Sequence, residues 1–158
     1  MLDSTVDSVN SALERARTAL QRHLPPGEHE PPPVPDSPAA QELAEKFVRA
    51  YQSGDIDGLV ALLTADVRVS MPPIPYEYHG RDVVGRFYAS IIGQGRTYDF
   101  VPTRANGQLA FGAYLRGLDG IRHATGVIVL TLTGDGISAI TRFDNSVLGC
   151  FGLPRTLP

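Results

Sequence analysis

The spacing of hydrophobic residues changes along this chain, and each change marks a different unit. Val6, Val9, Leu13, Ala16 and Leu20 recur at alternating intervals of three and four, which aligns them as one narrow stripe on a helix. Ser4 or Thr5 can cap its start and Asp7 stands in its first turn. Arg15, Arg17 and Arg22 lie toward its end, where cations suit the helix dipole. So narrow a stripe needs a partner surface. The periodicity then stops at LPPGEHEPPPVPDSP, residues 24–38, whose seven prolines exclude a helix or a central strand and make a semi-rigid extended spacer.

Period returns at Ser37-Pro38, the start signal of a helix with Leu43, Phe47, Val48, Ala50 and Tyr51 as its apolar positions and Gly54 as its stop. A short helix is expected at Ile56–Leu63, a strand at 67–71 (VRVSM) ending in Pro72-Pro73, and a helix over Asp82–Ile92. Beyond Gly93 the pattern becomes strand-like in four runs, 97–105, 108–116, 121–133 and 137–144. Asn106-Gly107, Leu118-Asp119-Gly120 and Gly134-Asp135-Gly136 separate them, turns that join antiparallel neighbours. Helices first and a meander afterwards predict an α+β fold, with helices packed on one face of a curved, mainly antiparallel sheet. The division expected is therefore a helix at 1–24, a Pro-rich linker at 25–37 and a folded domain at 38–158.

Composition narrows the function classes. A hydrophobic share of 42% with 20% charged residues is globular. A net charge of −3 argues against nucleic acid as the partner of the whole chain. The single Cys150 excludes an internal disulfide framework and fits a reducing cytoplasm. The chain carries no signal-like opening and no apolar run near the ~18 residues of a membrane helix, so a soluble cytoplasmic protein without membrane contact is expected.

Four phrases carry a family resemblance. ADVRVSMPPIPYEYHGRDVVGRFY resembles the SnoaL-like pattern of the nuclear-transport-factor-like superfamily, in which a strand ends in prolines and a His-Gly-Arg-Asp turn begins the next helix. VPTRANGQLAFGAYL and the closing FGLPRTLP resemble the carboxy-terminal SnoaL-like domain appended to some actinobacterial extracytoplasmic-function sigma factors, and LDSTVDSVNSALERARTAL is similar to the last helix of their region 4. The resemblance implies a cone-shaped α+β barrel that encloses an apolar pocket. It implies an accessory domain that regulates transcription, touches the sigma core or RNA polymerase, and senses a small hydrophobic or aromatic molecule. A lone helix without its companion cannot hold a docking angle in the major groove, so no specific DNA binding by this chain alone is expected. Two origins stay open, a sigma-factor fragment or a gene that kept the pocket domain alone.

The pocket candidates each have a plain reading beside the functional one. Asp144, in ITRFDNS, is the candidate general base or acid, since similar enzymes use a pocket carboxylate and apolar walls raise its pKa; equally, Asp144-Asn145-Ser146 is a turn. His79, in YHGRD, could donate to a substrate oxygen or merely sit at a helix start, where Asp82 would serve as a cap. Tyr51, Tyr88 and Tyr114 suit both core packing and an aromatic ligand, with Tyr51 a third catalytic candidate beside Asp144 and His79. Arg104 with Asn106 could pair with Asp144 or an anionic group, although Asn106-Gly107 is also a hairpin turn. Tyr76 and Tyr78 lie in MPPIPYEYHG, an irregular stretch expected at a pocket mouth. His123 shares parity with Thr125, Val127 and Val129, opposite to Ile128, Leu130 and Leu132, which places it outside and Arg122 inside.

The chain shows no Gly-rich phosphate loop, no Cys/His metal spacing and no Gly-x-Ser-x-Gly elbow, so a pocket without cofactor or metal is expected. Beside the sigma-factor reading stands a stand-alone cofactor-free enzyme of natural-product biosynthesis. It would be a polyketide cyclase, an isomerase or an epoxide-opening catalyst, with Asp144 as acid or base. A third reading is a protein that holds a hydrophobic ligand without turnover. A homodimer through the sheet face is common in this fold, and one subunit or two stays open.

Overall fold

The structure is a computed structural model that describes residue 15, residues 37–92 and residues 95–158. The helix expected over 1–24, apart from Arg15, and the linker up to residue 36 lie outside the described residues.

The first helix, α1 (Pro38–Ser53), follows the start and stop signals of its sequence. The Ser37 side chain accepts from the Ala40 N–H at 3.2 Å, Pro38 occupies the first turn, and Gly54 ends the helix at φ 72°. Its buried positions Ala40, Ala44, Phe47, Ala50 and Tyr51 form one face. Asp55 caps a short second helix, α2 (Ile56–Ala61), by accepting from Gly58 N–H at 2.8 Å. This helix stops before Leu63, because the sheet claims the backbone there: Ile137 N–H donates to Leu62 C=O at 2.9 Å and Leu63 pairs with Ile137. Strand β1 (Leu63–Met71) is accordingly longer than the expected 67–71 run.

The stretch expected to be irregular is mostly a strand. β2 (Ile74–His79) folds back on β1, with Arg68 opposite His79 and Ser70 opposite Glu77. Prolines hid it, since they cluster at the turn (cis Pro72-Pro73) and at a bulge rather than within the paired run. α3 (Arg81–Ile92) follows, then β3 (Tyr98–Ala105), β4 (Gln108–Arg116), β5 (Arg122–Thr133), β6 (Gly136–Phe143), a 3₁₀ helix (Asn145–Phe151) and the short β7 (Thr156–Leu157). The strand order is β2-β1-β6-β5-β4-β3, with β7 pairing β5; β1 and β6 run parallel and all other pairs antiparallel. Among the described residues the sheet curves but does not close, and β2 and β3 end its main path, with the two-residue β7 beside β5.

Each face has its own core. The helices cover one, where Phe47, Leu59, Val67, Val84, Ile128, Leu130 and Ile140 pack at 2% exposure or less. The chain's last residues cover part of the other, with Leu148 against Ala110, Tyr114, Val127 and Val129, and Leu153 packed alongside. Gly112 makes room for this return: a Cβ there would lie 2.8 Å from Leu153 Cδ1. The second face, the surface expected to pair two subunits, is therefore covered over β3–β5 by the protein's own carboxy-terminal segment.

A bulge on β5 corrects the expected alternation. Ala113 pairs with Gly126 but Tyr114 with Ala124, so Thr125 has no opposite number. Gly126 sits at φ 145°, and a Cβ there would come within 2.0 Å of Phe143 O. Beyond the bulge the faces exchange. Ala124 joins Val127 and Val129, while His123 falls opposite Leu115, on the other face. Arg122 points not into the helix-covered core but to the second face, 3.8 Å from Asp99 Oδ2, which Arg116 also approaches at 3.5 Å.

Candidate functional site

Helix α1 packs against β3, and the site develops from its two sides. On the inner side Tyr51, 4% exposed, is the centre of an aromatic cluster. Its ring meets Tyr88 at 5.7 Å, Tyr98 at 5.3 Å and Phe100 at 5.1 Å, all nearly edge-on, and Phe47 at 5.9 Å. Such edge-to-face pairs each contribute about 0.5–1.5 kcal/mol beyond area burial. Burial pushes the Tyr51 and Tyr88 hydroxyls well above the ordinary tyrosine range. The neighbouring tyrosine adds to the shift in each case, and the Arg142 guanidinium offsets part of it. Both phenols are therefore neutral at physiological pH and able to donate.

Arg142 is the residue the sequence reading missed. It pairs with Ile128 and stands two positions after buried Ile140, so it shares the helix-covered face, and its Nη2 donates to the carbonyl of bulged Thr125 at 3.1 Å. The alternation Ile140–Arg142 was the available signal; the carboxylate two residues on drew attention away from it.

On the outer side a groove with a cavity volume of about 380 Å³ runs between α1 and the β3–β4 strands. Ala44, Val48, Phe100, Pro102, Leu109 and Phe111 form its walls, and Glu45 and Arg49 stand at its rim. Phe100 belongs both to this groove and to the Tyr51 cluster, so the two are contiguous. An apolar concavity with a few polar groups at its edge suits a small hydrophobic ligand.

Of the remaining candidates only Tyr78 reaches the Tyr51 cluster. Asp144 is exposed and caps the 3₁₀ helix, accepting from both the N–H and the hydroxyl of Ser146. These bonds hold its carboxyl below the usual carboxylate range, opposite to the rise expected of a pocket base. His79 is exposed on β2, with Nε2 3.1 Å from Glu77 Oε2, and His123 is exposed 3.5 Å from Asp119 Oδ2. Tyr76 is 60% exposed, while Tyr78 stacks on Phe87 at 4.3 Å. Tyr114 lies in the second core and donates to Pro154 C=O at 2.8 Å. Asn106, at φ 50°, forms the β3–β4 turn with Gly107, whose carbonyl accepts from Arg104 at 3.4 Å. Of the ten candidates, then, Tyr51 and Tyr88 meet directly and Tyr78 joins them through Phe87, whose ring lies 5.2 Å from that of Tyr88, while His79, His123 and Asp144 each have a local partner of their own. Among the described residues no three His, Cys, Asp or Glu side chains gather as a metal site, and no helix is long and apolar enough to cross a membrane.

Comparison with known proteins gives this arrangement a context. A family model described as a SnoaL-like domain matches residues 44–143. The chain is 35% identical, over 160 aligned positions and 98% of its length, to the ECF RNA polymerase sigma factor SigG of Mycobacterium tuberculosis, of which it spans 42%. In structure it is similar to an NTF2-like protein of unknown function from Mesorhizobium loti (TM-score 0.57, 18% identity, 67% of this chain and 90% of that one). It is also similar to the Delta 5-3-ketosteroid isomerase of Mycobacterium sp. (TM-score 0.53, 18% identity, 72% and 94%).

Proposed function

Starting from a chain that belongs to the SnoaL-like domain family, we propose that it is the accessory domain of an extracytoplasmic-function sigma factor and works in the cytoplasm. It acts on transcription through contact with the sigma core or RNA polymerase. The observation that carries this reading is the extent of the sigma-factor likeness. It runs over 98% of the chain, past both ends of the SnoaL-like match at 44 and 143, into the amino-terminal helix-and-proline pattern and the carboxy-terminal return. The groove beside α1 is where a small hydrophobic ligand enters. Binding there shifts the population between a free domain and one engaged with the transcription machinery. The Tyr51 cluster supports a binding role, because the protein's own rings occupy the middle of the fold.

A second reading, a stand-alone cofactor-free enzyme, has the neutral phenols of Tyr51 and Tyr88 beside Arg142 in its favour, since such donors stabilise charge developing on oxygen. Asp144 would be its acid or base. The two readings separate in the source cells, by blotting against this domain and sequencing the peptides of the chain that carries it. The sigma-factor reading expects peptides of sigma regions in the same polypeptide, well above 17.0 kDa, and a function untouched by Asp144→Asn, which preserves the cap. A 17.0 kDa polypeptide whose turnover of a small molecule disappears in Asp144→Asn would overturn it.

A further inference from the structure

An open sheet has two edges, and each edge presents a row of unpaired N–H and C=O groups that another strand can join. The hydrogen-bond phase shows which backbone groups point outward here. On β3, Arg116 N–H donates to Thr97 C=O at 3.0 Å, and the register Tyr98↔Leu115 to Ala105↔Gln108 continues without a shift. Odd-numbered residues of β3 therefore bond to β4, and the backbone groups of Tyr98, Phe100 and Pro102 face the edge that no other described strand joins. Pro102, in the middle of that row, has no N–H to offer. The Tyr98 carbonyl at one end already accepts from Gln52 Nε2 at 3.2 Å, so α1 reaches over the edge as well.

The opposite edge carries the same device. On β2, Gly80 N–H donates to Val67 C=O at 2.8 Å, which turns Tyr78 inward and Glu77 and His79 outward. Pro75 and Tyr76 lie between the pairs Ser70↔Glu77 and Met71↔Ile74 and have no β1 partner, so a proline-bearing bulge interrupts this edge. Tyr76 and Ile74 are 60% and 52% exposed there, a composition that would otherwise invite pairing.

We propose that Pro102 and Pro75 close both edges of the sheet to strand addition. This domain then engages a partner, a second copy of itself included, through side-chain surfaces and not by extending the sheet at β2 or β3. The test is analytical ultracentrifugation of the full chain and of Pro75→Thr, Pro102→Thr and the double variant over a range of concentrations, joined to amide hydrogen exchange. Pro102→Thr restores one outward donor, worth about fivefold in an association constant, and Pro75→Thr restores a donor within the bulge of the other edge. The double variant is expected to self-associate with at least that gain over the parent, and its Phe100 and Glu77 amides gain protection as it does. Pro102→Ala restores the same donor without a branched side chain, and serves if the threonine variant fails to fold. Association and exchange identical to the parent in every folded variant would overturn the proposal. So would a parent chain that itself associates with those outward amides protected.

Discussion

Tyr51 shows how much one residue can settle. The sequence left it between catalysis and packing, because a tyrosine on the apolar face of a helix serves both. Its surroundings come from Tyr88, Tyr98 and Phe100, three residues on other elements that no local pattern joins to it. The same neighbours give a prediction. Folding holds the Tyr51 and Tyr88 phenols neutral by burial. Their contribution is complete below the ordinary tyrosine pKa of about 10 and is lost as pH rises from there toward the raised folded values. Urea unfolding is expected to show constant stability near neutrality and a decline above about pH 10, less steep in Tyr51→Phe. Tyr51→Ala, which removes the ring, should cost about 3–5 kcal/mol at neutral pH. A flat alkaline profile would show that the phenols are not held as described. Asp144 is the converse case: the turn reading of Asp-Asn-Ser was present in the sequence, and the cap on Ser146 is that turn.

At the level of elements, the helices α1–α3 and the strands β3–β6 were legible because each carries its own signal. Ser37-Pro38 opens α1, Gly54 closes it, and Asn106-Gly107 turns β3 into β4. What the sequence could not show was where alternation slips. Gly126 breaks the parity of β5, and the reason lies on β6, where the Phe143 carbonyl leaves no space for a side chain. β2 escaped for a related reason, since its pairing tolerates prolines only at a turn and a bulge, which pattern counting cannot distinguish from a loop. Gly126→Ala combines a strained φ with that clash, so it should lower the unfolding free energy by about 3 kcal/mol or more, read from the denaturation midpoint. A variant as stable as the parent would mean that the bulge is not a fixed part of the fold.

At the scale of the whole molecule, two faces of one sheet have separate coverings. The helices bury one face and leave the apolar groove beside α1, and the carboxy-terminal return closes part of the other. With the β2 and β3 edges interrupted by proline, the surfaces left for partners include the helices, the groove, the uncovered part of the second face and the exposed Tyr76 of β2. This is the form expected of a domain that works by contact, and the sigma-factor likeness over 98% of the chain is the basis of the setting proposed for it. The fold class was legible because element order alone specifies it; the groove was not, because it arises where α1 crosses two strands far away in sequence. The most direct test is run-off transcription by RNA polymerase with the intact polypeptide that carries this domain, compared with the same polypeptide lacking residues 37–158. A coupling free energy of about 1 kcal/mol or more corresponds to at least about a fivefold change in transcript, and the account predicts such a change. Equal transcription with and without the domain would contradict it.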